Sequence, residues 1–97
     1  MTTNILEDLE KIYPTIVKLM PDTFDSHDFI LRLAQKYQKL YIQALYEHTN
    51  QTRPFHRVHM AIAKRLKKRR DLVEQIDSTP SLNIFGVKSK VAVWRKV

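Results

Sequence analysis

Residues 81–97 read SLNIFGVKSKVAVWRKV. The later part is rich in β-branched residues and alternates with period two, setting Val91 and Val93 on one face and Ala92 and Trp94 on the other, which is the pattern of a strand. Ahead of it stands Gly86, the only glycine in 97 residues. A chain that manages without glycine elsewhere has a specific backbone need here, a positive φ that a β-branched side chain would resist. The stretch therefore predicts one arm and the tip of an antiparallel hairpin, with Leu72–Ile76 as the other arm and Val91–Lys96 as the return. Between the arms, Ser78-Thr79-Pro80-Ser81 together with Asn83 and Gly86 favour turns, so a long connecting loop is expected. A loop of that length in a small domain carries a function or is disordered. Lys88 and Lys90 give it a basic tip, and Ile84 and Phe85 are placed to fold back over the core; the two roles are compatible.

Upstream lies the most basic segment. From Arg53 to Arg70 there is no acidic side chain, so its eight Lys and Arg residues cannot pair along a helix at i,i+4 spacing. At about 100° per residue, Phe55, Val58, Ile62 and Leu66 share a narrow arc, while Arg53, Arg57, Met60, Lys64, Lys67 and Lys68 gather opposite. Thr52 is the expected cap of this third helix, and Pro54 suits its first turn. A polar face on an amphipathic helix is ordinarily just solvated. Uncompensated charge of a single sign is what points further, to an external polyanion.

The rest of the chain supplies the frame. Ile5, Leu9, Ile12, Ile16 and Leu19 predict an amphipathic first helix, which Pro14 should kink or divide into two short helices meeting near Tyr13. A second helix starts at Asp25 as cap, with Asp28 in its first turn and Phe24 and Phe29 spaced as a hydrophobic staple, and runs to about residue 47. Its tyrosines 37 and 41 fall in the apolar stripe and are expected in the core, whereas Tyr46 is open. Trp94 is expected to close the core against the first helix. The chain is thus read as a single domain over 1–97: an N-terminal helix at 1–23, a helix pair at 24–70 and a hairpin at 71–97.

Composition narrows the function classes. The absence of cysteine removes disulfides, thiolate metal sites and cysteine nucleophiles. Too few glycines are present for a phosphate-binding loop. The N-terminus, MTTNILEDLEKI, lacks the pattern of a secretory signal, and no apolar run suffices to span a bilayer, so a cytoplasmic, intracellular protein is expected. Net charge is +7 and belongs to the second half: residues 51–97 carry twelve Lys or Arg against three Asp or Glu, and residues 1–50 five against seven. His56 and His59, with His48, could share a metal, and the same pair could act as acid and base on a phosphodiester; neither has a supporting carboxylate or catalytic spacing, so no metal, cofactor or enzymatic activity is expected.

Three helices followed by a basic hairpin, mainly α with a C-terminal β-hairpin (α+β), resemble the winged-helix branch of the helix-turn-helix superfamily, from about Phe24 to Lys96. The resemblance implies that the third helix enters the major groove of DNA and that the hairpin, the wing, touches the backbone or an adjacent minor groove. It makes Arg53, His56, Arg57, Met60 and Lys64 groove-facing residues, Lys88 and Lys90 wing contacts, and Lys67, Lys68, Arg69 and Arg70 phosphate contacts. The expected function is duplex DNA binding, as in transcription regulation, by a nucleoid-associated protein. The alternative is a protein interaction module, in which Glu7, Asp8 and Glu10 of the N-terminal helix meet the basic half of another copy to give a homodimer.

Overall fold

A computed structural model describes residues 4–97. The chain is an α+β protein whose helices come first and whose sheet closes at the C-terminus. Its elements are α1 (Ile5–Lys11), α2 (Tyr13–Leu19), β1 (Thr23–Asp25), α3 (Ser26–Lys36), α4 (Gln38–Glu47), α5 (Pro54–Lys68), β2 (Val73–Leu82) and β3 (Lys88–Lys96).

Each N-terminal helix has a local cause. Asn4 caps α1 by accepting from the Leu6 amide at 3.0 Å. Pro14 sits in the first turn of α2, where no intrahelical donor is lost, and so divides the N-terminal segment into two short helices at Ile12. Asp25 and Asp28 form the reciprocal capping box expected at the start of α3, and Phe24 and Phe29, both buried, stack 6.1 Å apart. The predicted second helix does not continue to residue 47 unbroken. It turns at Tyr37 (φ −126°, ψ 57°) and resumes as α4, so the expected three helices are five. The break lets Leu33 on α3 and Tyr41 and Ala44 on α4 reach one core. α5 has Arg53 as its cap residue, with no side-chain hydrogen bond, so the capping role assigned to Thr52 is not realised.

The sheet is larger than the two arms expected. β3 lies in the middle, antiparallel to β2 on one side and to the three-residue β1 on the other, in the order β1-β3-β2. β2 runs ten residues, through the Ser-Thr-Pro-Ser segment read as loop, with an irregularity between Gln75 and Asp77. Pro80 fits because β2 is an edge strand, where a missing amide costs no ladder bond. The connection shrinks to Asn83–Val87. There the Asn83 side chain accepts from the amides of Phe85 and Val87, and Gly86 has φ +77°, the positive value its isolation implied.

A Cβ at Gly86 would meet nothing within 4 Å, so only backbone strain opposes a side chain there. Gly86→Ala is expected to cost about 1 kcal/mol, read in a thermal melt as a Tm lower by roughly 4–8 °C. An unchanged Tm would mean that the turn adapts freely.

The core joins all layers: Leu9, Tyr13, Ile16, Phe29, Leu33, Val58, Ile62, Leu66, Val73 and Trp94 are buried together. The Tyr13 hydroxyl donates to the Ile62 carbonyl at 2.9 Å, tying α2 to α5. The Trp94 indole donates to Ser26 Oγ at 2.9 Å, tying β3 to α3, and its ring belongs to the same buried cluster as Leu9, Tyr13 and Ile16 of the N-terminal helices. This seam holds the hairpin beside α5.

Candidate nucleic-acid interface

α5 buries Val58, Ile62 and Leu66 completely, which fixes its rotation and turns the opposite side outward. One flank of that side faces the hairpin across a groove of about 770 Å³, floored by Ser26, His27 and Ile30 at the start of α3. Of the eleven residues singled out from sequence, six line this groove: Arg53, His56, Met60, Lys64, Lys67 and Lys90. Arg57 and Lys68 are exposed on α5 and continue the same surface, roughly 20° and 40° further around the helix than Lys64. Lys88 is exposed at the start of β3, near the hairpin tip.

The charge on this surface is unbalanced. Among the described residues, Arg53, Arg57, Lys64, Lys67, Lys68, Arg70, Lys88 and Lys90 take part in no salt bridge, and no carboxylate lines the groove. The acid-free segment is not wholly uncompensated, however. Arg65 pairs with Glu10 at 3.3 Å, and Arg69 reaches both Glu10 at 3.7 Å and Asp71 at 3.0 Å. Asp71 holds the Arg69 guanidinium further toward the charged form, and Arg69 in turn lowers the Asp71 carboxyl pKa. Arg69 is therefore committed to the fold and not free for phosphate. Glu10, assigned above to a second copy, is engaged within its own chain.

Aromatic rings cover the end of the groove at the hairpin tip. Phe85 meets Phe55 edge-on, centroids 4.8 Å apart at 85°, and lies nearly parallel to His59 at 6.4 Å. Phe55, expected in the core with Val58, is 41% exposed, and Phe85 is 56% exposed. Ile84 is the residue that folds back onto the core.

The histidines are separated in role. His48 Nδ1 donates to the Ala44 carbonyl at 2.8 Å. His59 Nε2 is hydrogen-bonded to the Tyr41 hydroxyl at 2.6 Å. Among the described residues, no group of three or more His, Asp or Glu is placed to hold a metal ion. His27, absent from the sequence reading, approaches Ser89 Oγ through Nε2 at 3.3 Å, while its buried Nδ1 has no partner. Burial pushes the Tyr41 phenol up to about 12.

Burial also lowers His59 to about 4, helped by the nearby imidazoles of His27 on α3 and His56 on α5. The ordinary value is about 6.5, so the unfolded chain binds this proton more readily than the folded one. The neutral ring's contribution is complete above about pH 6.5 and is lost as pH falls toward 4. Allowing for screening at a partly exposed site, roughly 2 kcal/mol should disappear across that window. Urea titrations at either end, compared with His59→Gln, check it: the variant should lose distinctly less stability on acidification, and an identical loss would show that His59 is not responsible.

No protein-family model, curated protein or solved structure matches this chain. No helix among the described residues is long and apolar enough to cross a membrane. Function is therefore argued from the groove and the charge around it.

Proposed function

We infer that this chain is a non-enzymatic nucleic-acid-binding domain acting on duplex DNA in a winged-helix-like manner, with α5 presented to the major groove and the β2–β3 hairpin as the wing. The observation that carries the reading is the surface of cations outside any salt bridge on and beside α5, Arg53, Arg57, Lys64, Lys67, Lys68 and Arg70, with Lys90 across the groove and Lys88 near the hairpin tip. Holding so many like charges together without acidic partners is unfavourable, and a polyphosphate backbone relieves it. The sheet order, with a short strand after the N-terminal helices and the hairpin directly after the basic helix, supports the comparison with winged-helix domains. Arginine can make two hydrogen bonds to a guanine edge, which assigns base reading to Arg53 and Arg57, while the lysines position the protein on phosphate. A DNA-binding role of this kind places the protein inside the cell, on the nucleoid.

A second reading, a protein interaction module, is favoured by one observation: Ile42 and Tyr46 of α4 are 61% and 75% exposed, an apolar pair away from the basic face. Fluorescence anisotropy with a labelled random duplex separates the two. Under the first reading the duplex binds at about 100 mM salt and both Arg57→Ala and Lys64→Ala weaken it, since specific sites and phosphate contacts each contribute. Absence of binding, or indifference to both changes, would transfer the assignment to the protein module.

A further inference from the structure

The groove between α5 and the hairpin combines two surfaces seldom found together. At one end are two half-exposed aromatic rings, Phe85 and Phe55, in edge-to-face contact. Along the rim stand Arg53, Lys64, Lys67 and Lys90, with no carboxylate among the lining residues. The matching ligand carries a flat unsaturated ring and a run of anionic groups extending from it along the groove. An acidic peptide offers the charge without the ring, and a paired duplex offers phosphates with its ring faces hidden in the stack.

We propose that the groove takes up an unpaired nucleotide of a bound strand, its base against Phe85 and Phe55 and the phosphates of the strand, running on along the groove, against Arg53, Lys64, Lys67 and Lys90. The inference rests on the nucleic-acid reading above, but it concerns unpaired strand and does not need the major-groove contact. The space suits it: about 770 Å³ lies within the range of clefts that hold small organic ligands. Polar side chains among the lining residues, Gln75, Asn83 and Ser89, offer hydrogen-bonding groups to a base edge. Stacking is indifferent to which base is present, because every base has a π-face, so the pocket should show little sequence preference. The Phe85–Phe55 contact also means that the hairpin tip and the first turn of α5 hold the base jointly, and only with the tip folded down.

The test compares two labelled single strands of about ten nucleotides, one of thymidylate and one abasic throughout, which keeps the phosphates and removes the rings. At matched salt, the thymidylate strand is expected to bind about tenfold more tightly, the size of one or two stacking contacts. Phe85→Ala and Phe85→Leu should each erase that advantage while leaving affinity for the abasic strand within about twofold, and Phe85→Tyr should keep it. Leucine retains the apolar contact with Phe55, so its loss of discrimination cannot come from a released hairpin tip, and circular dichroism verifies that every variant is folded. Equal affinity of the native protein for the two strands overturns the proposal, as does an advantage that survives in both ring-less variants. A blunt duplex run in parallel separates the two ideas. Strand discrimination without duplex binding retains the pocket and removes the major-groove reading; duplex binding without discrimination does the reverse; no binding of any probe removes both.

Discussion

Raising the salt concentration from about 50 to about 200 mM is expected to weaken duplex binding by roughly a thousandfold. Each phosphate neutralised by a protein cation releases condensed counterions, so the logarithm of affinity falls linearly with the logarithm of salt, with a slope near −0.9 per contact. Eight cations outside any salt bridge, Arg53, Arg57, Lys64, Lys67, Lys68, Arg70, Lys88 and Lys90, stand on or beside α5 and on β3; about six phosphate contacts among them would give a slope of roughly −5. Lys64→Ala should make the slope shallower by about one unit, and Arg57→Ala should in addition reduce discrimination among duplex sequences, at about 1–3 kcal/mol for the base it reads. Arg69→Ala, by contrast, removes a cation already paired with Asp71 and Glu10 and should leave the slope unchanged while lowering stability. A slope near −2, or equal effects of Lys64→Ala and Arg69→Ala on it, would contradict the assignment of the free cations.

Trp94→Ala is expected to cost about 3–5 kcal/mol, a large part of the roughly 5–15 kcal/mol that holds a domain of this size. Trp94 is 2% exposed and stands opposite Phe24 on β1 and Gln75 on β2, at the point where both outer strands meet the middle one. Its removal opens a cavity in the seam and strands the buried Ser26 hydroxyl that now receives the indole N–H. Trp94→Phe keeps most of the volume and loses the hydrogen bond, so a smaller cost of about 1–2 kcal/mol is expected. Urea unfolding followed by circular dichroism measures both, since the chain has no other tryptophan to report by fluorescence. A cost below about 1 kcal/mol for the alanine variant would show that the sheet is held to the helices elsewhere.

What could be read from the sequence was whatever is local. The rotation of α5 follows from its own apolar period, so Val58, Ile62 and Leu66 were placed inside and the cations outside. The division at Pro14, the capping box at Asp25 and the positive φ of Gly86 each depend on a few neighbouring residues. What could not be read depends on partners far along the chain. Thr23–Asp25 becomes a strand only because Val93–Arg95 lies beside it, and three residues contain no period of their own. The Ser78–Ser81 segment has turn-forming composition, yet pairing with Ser89–Ala92 extends it. No glycine or proline marks the break at Tyr37. Within the candidate site, six of eleven residues share the groove because they lie on one helix flank or on the strand opposite, whereas His27 enters from another element. Phe55 falls inside the apolar arc, about 20° from Ile62, yet in the first turn of α5 it meets the hairpin tip and not the core, a contact no helical period encodes, and the pairing of Arg65 and Arg69 with Glu10 crosses more than fifty positions.

The irregular outer strand has a further consequence, for the behaviour of many chains together. A free strand edge is a template on which a neighbour can add its own strand, and repeated addition leads to aggregates. On β2, the irregularity after Gln75 interrupts the row of hydrogen-bonding groups, Pro80 removes one donor, and Glu74 and Asp77 add negative charge to the strand. Addition of a further strand at the β2 edge is therefore disfavoured, and copies of the chain held close together resist zipping into a common sheet.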